Sequence, residues 1–254
     1  MNILVCVKRV PLTGGKITLT EDERAIQTRH LGFTVSPHEE CAGEEAIRLV
    51  EQHGGESAVL TLGPAEAEEQ LRDMMAIGID RGIHLVTDGE EWDPQATAAA
   101  ILAAIAEDGT SFDLLLFGNE SADAGNYQVP IRVAHALSRP CVTGVKAVRV
   151  DGDTLRCEQE VPGGRDVYKV PMPAVVTVRE GINLPRYPSV PGRMRAKRKP
   201  LASSRPSRPE AGGGGLQMRR LLLPEGSSKQ AEVLGHGAEA APAVVGILQD
   251  LGVM

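Results

Sequence analysis

The stretch FDLLLFGNESADAGNYQV, residues 112–129, indicates the fold class of this chain. Its first part, Phe112 to Phe117, is an apolar run of strand length that ends at Gly118. A loop of small and polar residues follows, and a helix is predicted from about Tyr127 to Ser138. A buried strand that leads through a short loop into a helix is the repeating unit of a parallel sheet.

The same unit recurs in the preceding residues. Strands are predicted over residues 2–8, 57–62 and 82–86, and helices from about residues 36, 65 and 93. Ser36, Pro37 and Glu39 form a typical helix start, with an N-cap, a proline in the first turn and an acceptor three residues after the cap. The alternation over the first 140 residues predicts an α/β fold, a mostly parallel sheet with helices on both faces.

After residue 140 the pattern changes to extended runs separated by turns. Residues 142–150 and 154–161 flank Asp151-Gly152-Asp153, which is typical of a hairpin turn. Residues 166–170 and 174–178 are two further extended runs. We expect these runs to add antiparallel or edge strands to the sheet.

A Pro-rich segment without periodicity follows Arg179. Its composition predicts a segment that is disordered or ordered only by a partner. A short terminal helix is expected over residues 242–251, at the end of an extended C-terminal arm.

Composition excludes several classes of protein. The 254 residues carry 27 Lys and Arg against 34 Asp and Glu, a net charge of −7, and only 3% are aromatic. An acidic chain with few aromatic residues argues against nucleic-acid binding. No apolar run is long enough for a membrane span, and the charge order of the first ten residues is not that of a secretory signal, so a cytoplasmic protein is expected.

Metal and nucleophile motifs are not apparent. The cysteines Cys6, Cys41, Cys141 and Cys157 form no C-x-x-C pair and are expected to be buried thiols. None of the six histidines pairs with a nearby Ser or Cys in a recognisable arrangement. The sequence therefore favours a chain that binds a ligand over one that reacts with it.

The loop that follows residues 112–117 is the best candidate site. It lies at the predicted carboxyl edge of the sheet, where ligands of parallel α/β folds bind, although a loop of this kind can also merely cap a helix. Other strand ends, near Cys6, Ser36 and Leu62, fall on the same edge and are predicted to wall an adenine-sized pocket. A basic run from Arg193 to Lys199 is either a docking surface, a nucleic-acid contact or a solvated loop.

Five segments together resemble one known family, and one of them is LGPAEAEEQLRDMMAIGIDRGIHL (62–85). The other four are VCVKRV (5–10), PHEECAGEEAIRL (37–49), LLLFGNESADAGNYQV (114–129) and VPMPAVVTVREGINLPRYPSVPGRMRAKRKP (170–200). The last segment is the most specific, and with it the chain resembles the β subunit of electron transfer flavoprotein, in the FixA-like branch. The resemblance covers nearly the whole chain.

The resemblance implies an adenine nucleotide α-hydrolase-like fold and an electron carrier instead of an enzyme. It implies a heterodimer with an α subunit, an FAD shared with that subunit and a structural AMP in this chain. Aligned motifs place the cofactor-binding residues at Cys6, Ser36, Pro37, His38, Glu39, Leu62, Gly118, Asn119, Glu120, Ser121, Ala122, Asp123, Ala124, Gly125, Asn126, Tyr127, Gln128 and Val129.

The resemblance also implies a docking segment, residues 183–195, that binds partner dehydrogenases. Its expected contact residues are Asn183, Pro185, Arg186, Tyr187, Val190, Met194 and Arg195, with Val190 as the apolar anchor. Residues 1–180 would form the nucleotide-binding domain. Residues 181–254 would hold the docking segment and the arm that embraces the α subunit, and electrons would pass to a membrane quinone reductase or another acceptor.

Three alternatives remain open at this point. The loop ADAGNYQVP departs from the family pattern, and a second FAD in place of AMP, as in bifurcating members, is one alternative. A nucleotide hydrolase or ligase of the same fold is another, although residues 9–16 lack its phosphate-binding motifs. A nucleotide-sensing stress-type protein would leave the Pro-rich segment without a role.

Overall fold

The computed structural model describes residues 1–12, 14, 17–209, 218–223 and 232–253. The strands are, in chain order, β1 (Asn2–Cys6), β2 (Val10–Pro11), β3 (Phe33–Thr34), β4 (Glu56–Gly63), β5 (Arg81–Val86), β6 (Leu114–Gly118), β7 (Cys141–Asp151), β8 (Thr154–Val161), β9 (Gly164–Pro171), β10 (Ala174–Val178) and β11 (Leu201–Ser204). The α-helices are α1 (Pro37–His53), α2 (Glu68–Ile77), α3 (Pro94–Asp108), α4 (Val129–Ala136), α5 (Val190–Ala196) and α6 (Ala241–Asp250).

Within the described ranges, the main sheet has nine strands in the order β11-β5-β4-β1-β6-β10-β7-β8-β9. The strands from β11 to β7 run parallel, and β8 and β9 continue the sheet as an antiparallel meander. The small pair β2 and β3 lies apart from it. The predicted α/β class, the parallel sheet and the edge hairpin are confirmed.

Alternation along the central strands divides the core into two layers. In β1, Ile3 and Val5 face the layer that contains α1 and α2, and Leu4 and Cys6 face the layer that contains α3 and α4. These four side chains are almost fully buried, because a parallel strand between two helical layers has no solvent face. The helices therefore cover both faces of the sheet, as predicted.

The expected position of residues 174–178 is wrong. These residues form β10, which lies in the middle of the parallel part of the sheet between β6 and β7. All five residues of the run AVVTV are buried, which is the pattern of a central parallel strand. The adjacent meander suggested an edge position, but chain order does not fix strand order.

The expectation that the segment after Arg179 has no structure of its own is also wrong, for residues 190–204. These residues form α5 and β11, and β11 pairs in parallel with β5 at the sheet edge. Polar anchors hold them in place. At the C-terminal end of α2, Lys199 Nζ donates to the carbonyls of Met75, Gly78 and Ile79 at 3.0, 3.0 and 2.6 Å.

A second anchor comes from α2 itself. Arg72 Nη1 donates to the carbonyl oxygens of Ala196 and Lys199 at 2.8 and 2.9 Å. Composition rules count apolar area and miss such side-chain bonds to backbone carbonyls. The predicted terminal helix is confirmed as α6, whereas much of the arm between 209 and 232 lies outside the described residues. The functional division at residue 180 stays a prediction.

Candidate functional site

Four neighbouring parallel strands end at one edge of the sheet and leave a cavity there. Strands β1, β4, β5 and β6 are followed by Val7, Pro64, Thr87 and Asn119, which all line a cavity of about 300 Å³. Its apolar walls are Cys6, Leu60, Leu62, Trp92, Ile101, Phe117 and Val129. A small organic ligand fits a cavity of this size and lining.

The structure brings all the predicted cofactor-binding residues to this edge. Twelve of them line the main cavity: Cys6, Glu39, Leu62, Gly118, Asn119, Glu120, Ser121, Asp123, Asn126, Tyr127, Gln128 and Val129. A second cavity of about 350 Å³ shares Glu120, Ser121 and Asp123 with the first. The remaining six residues line the second cavity: Ser36, Pro37, His38, Ala122, Ala124 and Gly125.

Sequence reasoning missed several lining residues. Lys8 and Arg9 line the main cavity directly after β1, where their position at a strand end was an available signal. Thr87, Trp92 and Thr97 also line it, from the loop after β5 and from α3. Nothing in the local sequence pattern marks Trp92 as a cavity residue.

Glu39 is a buried carboxyl group in the first turn of α1. The Ser36 backbone N–H donates to Glu39 Oε2 at 3.2 Å, and the two residues form a capping box. Burial is the main cause that raises the pKa of Glu39 to about 8, against the backbone hydrogen bonds from Lys8 and Ser36. At neutral pH this carboxyl at the cavity wall is therefore mostly protonated.

Lys8 connects two loops at the mouth of the cavity. Its Nζ lies 2.7 Å from Asp123 Oδ2, in the loop after β6, and 2.6 Å from Glu91 Oε1, in the loop after β5. Burial opposes the charge on Lys8, but attraction to Glu91 and Asp123 raises its pKa overall. The ion pairs therefore hold the two loops together across the carboxyl edge.

The loop after β6 is fixed by polar contacts on both sides. Thr177 Oγ1 donates to Asn119 Oδ1 at 2.8 Å, and the Tyr127 hydroxyl donates to Glu120. His38 Nε2 lies 3.5 Å from Glu120 Oε1, while its Nδ1 accepts from the Glu180 backbone N–H at 2.7 Å. His38 thus links the cavity loop to the start of the chain that leads into the docking segment.

Comparison with known proteins identifies the family. A family model described as "Electron transfer flavoprotein domain" matches residues 25–207. The chain is similar to the electron transfer flavoprotein subunit beta of Bacillus subtilis, with 37% identity over 202 residues, covering 79% of this chain and 77% of that protein. This chain belongs to the electron transfer flavoprotein β-subunit family.

Relatives of the same description occur in distant organisms. The chain is 38% identical to the electron transfer flavoprotein subunit beta of Syntrophomonas wolfei over 205 residues, covering 80% of this chain and 79% of that protein. It is 34% identical to the subunit of the same description from Homo sapiens over 210 residues, covering 81% and 82%. The resemblance stated from the sequence motifs is therefore confirmed.

In this electron transfer flavoprotein chain, no residue of the docking segment lines either of the two cavities, and the segment exposes large apolar side chains. Tyr187 is 95% exposed, Val190 74% and Met194 64%, and the neighbouring Leu184 is 83% exposed. Arg195 is exposed as well, whereas Asn183, Pro185 and Arg186 are partly buried. Exposed apolar side chains are typical of interaction surfaces, and the docking role of this segment stays a prediction.

The basic run is divided by the structure into separate roles. Lys199 holds the end of α2, and Arg193 Nη1 contacts Asp73 Oδ1 at 3.1 Å. Arg195, the last residue of the docking segment, is exposed, and so are Lys197 and Arg198 just after it. Part of the run is thus structural, a role that charge alone did not indicate.

The cysteines of this electron transfer flavoprotein chain are all free. Burial raises the pKa of the Cys6 thiol, and the nearby Glu39 adds to the effect. Burial likewise raises the pKa of Cys157 to about 12. These thiols are therefore protonated at neutral pH and are not poised as nucleophiles.

The described part of the chain contains no membrane-spanning helix and no cluster of metal-ligand side chains. None of the helices found there has both the length and the apolar character that crossing a bilayer requires. In the same residues, no group of three or more His, Cys, Asp or Glu side chains is placed to hold a metal ion.

Proposed function

We propose that this chain is the β subunit of a heterodimeric electron transfer flavoprotein that carries electrons between dehydrogenases and an acceptor oxidoreductase. A membrane quinone reductase is the acceptor class that we expect, and the cytoplasm is the compartment. The observation that carries the proposal is the joint presence, in a chain of this family, of a ligand cavity at the carboxyl edge and a separate exposed docking segment. A carrier needs both features.

We propose AMP as the ligand of the main cavity. The apolar walls suit a purine, and the cationic side chains of Lys8 and Arg9 suit a phosphate. Arg9 Nε is a buried donor for which the described residues provide no hydrogen-bond partner. A buried unsatisfied donor on a cation is relieved by an anionic ligand, so the residues present fit a nucleotide.

In this proposal the AMP is structural. It would fill the space between the loops that follow β1, β5 and β6, which Lys8 already joins through Glu91 and Asp123. The Gly118 to Val129 loop would then be held in one conformation. A fixed loop at this edge gives the α subunit a defined surface on which to share the FAD site.

FAD, when bound between the two subunits, supplies the one- and two-electron chemistry of the carrier. The residues of this chain position the FAD and exclude water from it, and they take no part in the electron chemistry themselves. The thiol of Cys6 stays protonated, and the loop residues Asn119 and Glu120 are held by Thr177 and Tyr127. We therefore assign no catalytic residue to this chain.

The arm supports the heterodimer in this proposal. Helix α6 carries Val244, Ile247 and Leu248 at helical spacing, Leu251 follows directly after it, and none of the helix residues is buried. An apolar helical stripe that its own chain leaves open is suited to a partner. We propose that the α subunit covers it.

Electron transfer through the purified heterodimer tests the proposal. The chain is co-expressed with its α partner and mixed with a partner dehydrogenase and that enzyme's substrate under anaerobic conditions. Bleaching of the bound flavin, followed by its recovery when an acceptor is added, is the expected result. A heterodimer that binds no flavin, or whose flavin no dehydrogenase reduces, would contradict the proposal.

A further inference from the structure

Hydrogen bonds to residues spaced along α1 hold the docking segment against that helix. Just before the segment, the Glu180 backbone N–H donates to His38 Nδ1 at 2.7 Å. Asn183 Nδ2 donates to the Cys41 carbonyl at 3.0 Å and to Glu45 Oε2 at 2.9 Å. These contacts place the segment along successive turns of the helix.

Arg186 makes the largest set of these contacts, and Glu44 is its main acceptor. The backbone N–H, Nε and Nη2 of Arg186 donate to the Glu44 carboxylate at 3.1, 2.9 and 3.1 Å. Nη1 and Nη2 also donate to Glu51 at 2.7 and 3.1 Å. One guanidinium is thus shared between two carboxylates on α1, an arrangement that fixes its plane.

Glu44 is buried, whereas the residues that flank Arg186 are not. The Glu44 side chain is only 3% exposed, while Leu184 is 83% and Tyr187 95% exposed. Burial disfavours the Glu44 charge, but the hydrogen bonds from Arg186 and Arg48 hold the pKa of this carboxyl below its usual value. The charged pair is therefore kept at neutral pH beneath an open apolar surface.

Glu44 is buried and Arg186 is partly exposed, and the desolvation of such a pair offsets much of its attraction, so its main effect here is on the geometry of the segment. Without it, a loop bearing exposed Leu and Tyr side chains samples many conformations, and ordering them on binding costs free energy. With Arg186 fixed, Leu184 and Tyr187 are held outward on either side of it before any partner arrives. The arrangement is preorganised for a hydrophobic surface on another protein.

We propose that Glu44 is a positioning residue for partner docking: it holds Arg186 so that Leu184 and Tyr187 project toward the dehydrogenase. The inference rests on the proposed function of the docking segment. Glu44 acts through Arg186 and touches neither the cavity nor the partner.

The test uses the heterodimer with Glu44→Gln, which keeps the shape of the side chain and removes its charge. We expect the KM of the dehydrogenase for the heterodimer to rise about tenfold, which corresponds to one weakened charge-assisted contact. The kcat, the flavin content and the nucleotide content should stay at wild-type values. Glu107→Gln on α3, an exposed residue across the sheet, is the matched control and should change none of them.

Arg186→Lys tests the geometry of the pair. A lysine keeps the charge but lacks the planar fork, so we expect it to raise KM by a similar factor. Arg186 is less buried than Glu44, so this variant also serves if Glu44→Gln fails to fold. A wild-type KM in a folded Glu44→Gln or Arg186→Lys heterodimer would overturn the proposal.

Limited trypsin digestion gives a readout that does not depend on electron transfer. The bond after Arg186 should be cleaved several times faster in Glu44→Gln than in wild type, because Arg186 is then released from α1. Unchanged cleavage would overturn the positioning role. Faster cleavage with no dehydrogenase reducing even the wild-type flavin would support the positioning of the loop and contradict the proposed function instead.

Discussion

Gly118 lies so close to Glu39 that no side chain fits between the end of β6 and the start of α1. A Cβ placed on Gly118 would lie 2.6 Å from Cγ of Glu39 and 3.2 Å from its backbone nitrogen. The contact joins the loop that lines the cavity to α1, the helix against which the docking segment packs. Close approach of two backbones is therefore the reason for glycine at this position.

Gly118→Ala should destabilise the chain and weaken ligand retention together. The added methyl group forces α1 away from β6, at a cost of about 1–3 kcal/mol. Thermal unfolding and the nucleotide content of the purified heterodimer are the measurements. Gly164→Ala on β9, where a Cβ meets nothing within 4 Å, is the control, and equal effects of the two variants would refute the packing explanation.

The protonation of Glu39 should make stability depend on pH. Its pKa is raised from 4.5 to about 8, so between these values the folded chain holds a proton that the unfolded chain has lost. The stability that protonated Glu39 contributes is therefore fully present below about pH 4.5. It is lost progressively as the pH rises from there through about 8.

Glu39→Gln should remove this part of the pH dependence. From pH 5 to pH 8, the unfolding free energy of the variant should rise relative to wild type by at least about 1.4 kcal/mol, the equivalent of one pKa unit. The altered hydrogen bonds to Ser36 and Lys8 add an offset that pH does not change. Denaturant titrations at both pH values measure the difference, and parallel curves for the two proteins would contradict the prediction.

Lys8→Met should open the mouth of the cavity. Loss of the ammonium leaves Glu91 and Asp123 without their shared partner and without a link between their loops. We expect nucleotide affinity to fall by roughly tenfold or more, the scale of a hydrogen bond to a charged group. Equilibrium dialysis with AMP measures it, and Lys169→Met on the exposed strand β9 should behave as wild type.

The open stripe on α6 should be required for the heterodimer and not for the fold of this subunit. Ile247→Asp places a charge in the stripe, whereas Gln249→Asp adds the same charge off it. We expect Ile247→Asp to weaken association by at least about tenfold, with the unfolding midpoint of the isolated subunit unchanged. Size-exclusion co-elution with the α subunit is the measurement, and equal yields from the two variants would contradict this role.

Much of the candidate site was predictable because parallel strands end at a common edge. Cys6, Leu62 and Gly118 stand at or near the ends of β1, β4 and β6, and the structure gathers them around one cavity. The capping box of Ser36 and Glu39 was equally local, since it depends on residues three apart. Such features need no knowledge of distant packing.

Features that depend on distant contacts were not predictable. The central position of β10 follows from pairing with β6, about sixty residues earlier in the chain. The order of α5 and β11 depends on Lys199 and Arg72, whose bonds reach carbonyls far away in sequence. Trp92 enters the cavity only because the loop after β5 folds over the sheet edge.

The ligands released from the denatured heterodimer test the central claim most directly. Chromatographic quantification after co-expression with the α subunit should give one FAD and one AMP for each heterodimer. Two FAD and no AMP would contradict the assignment of AMP to this chain and favour a second flavin. A stable heterodimer that releases neither a flavin nor an adenine nucleotide would contradict the account that this subunit forms half of a flavin carrier.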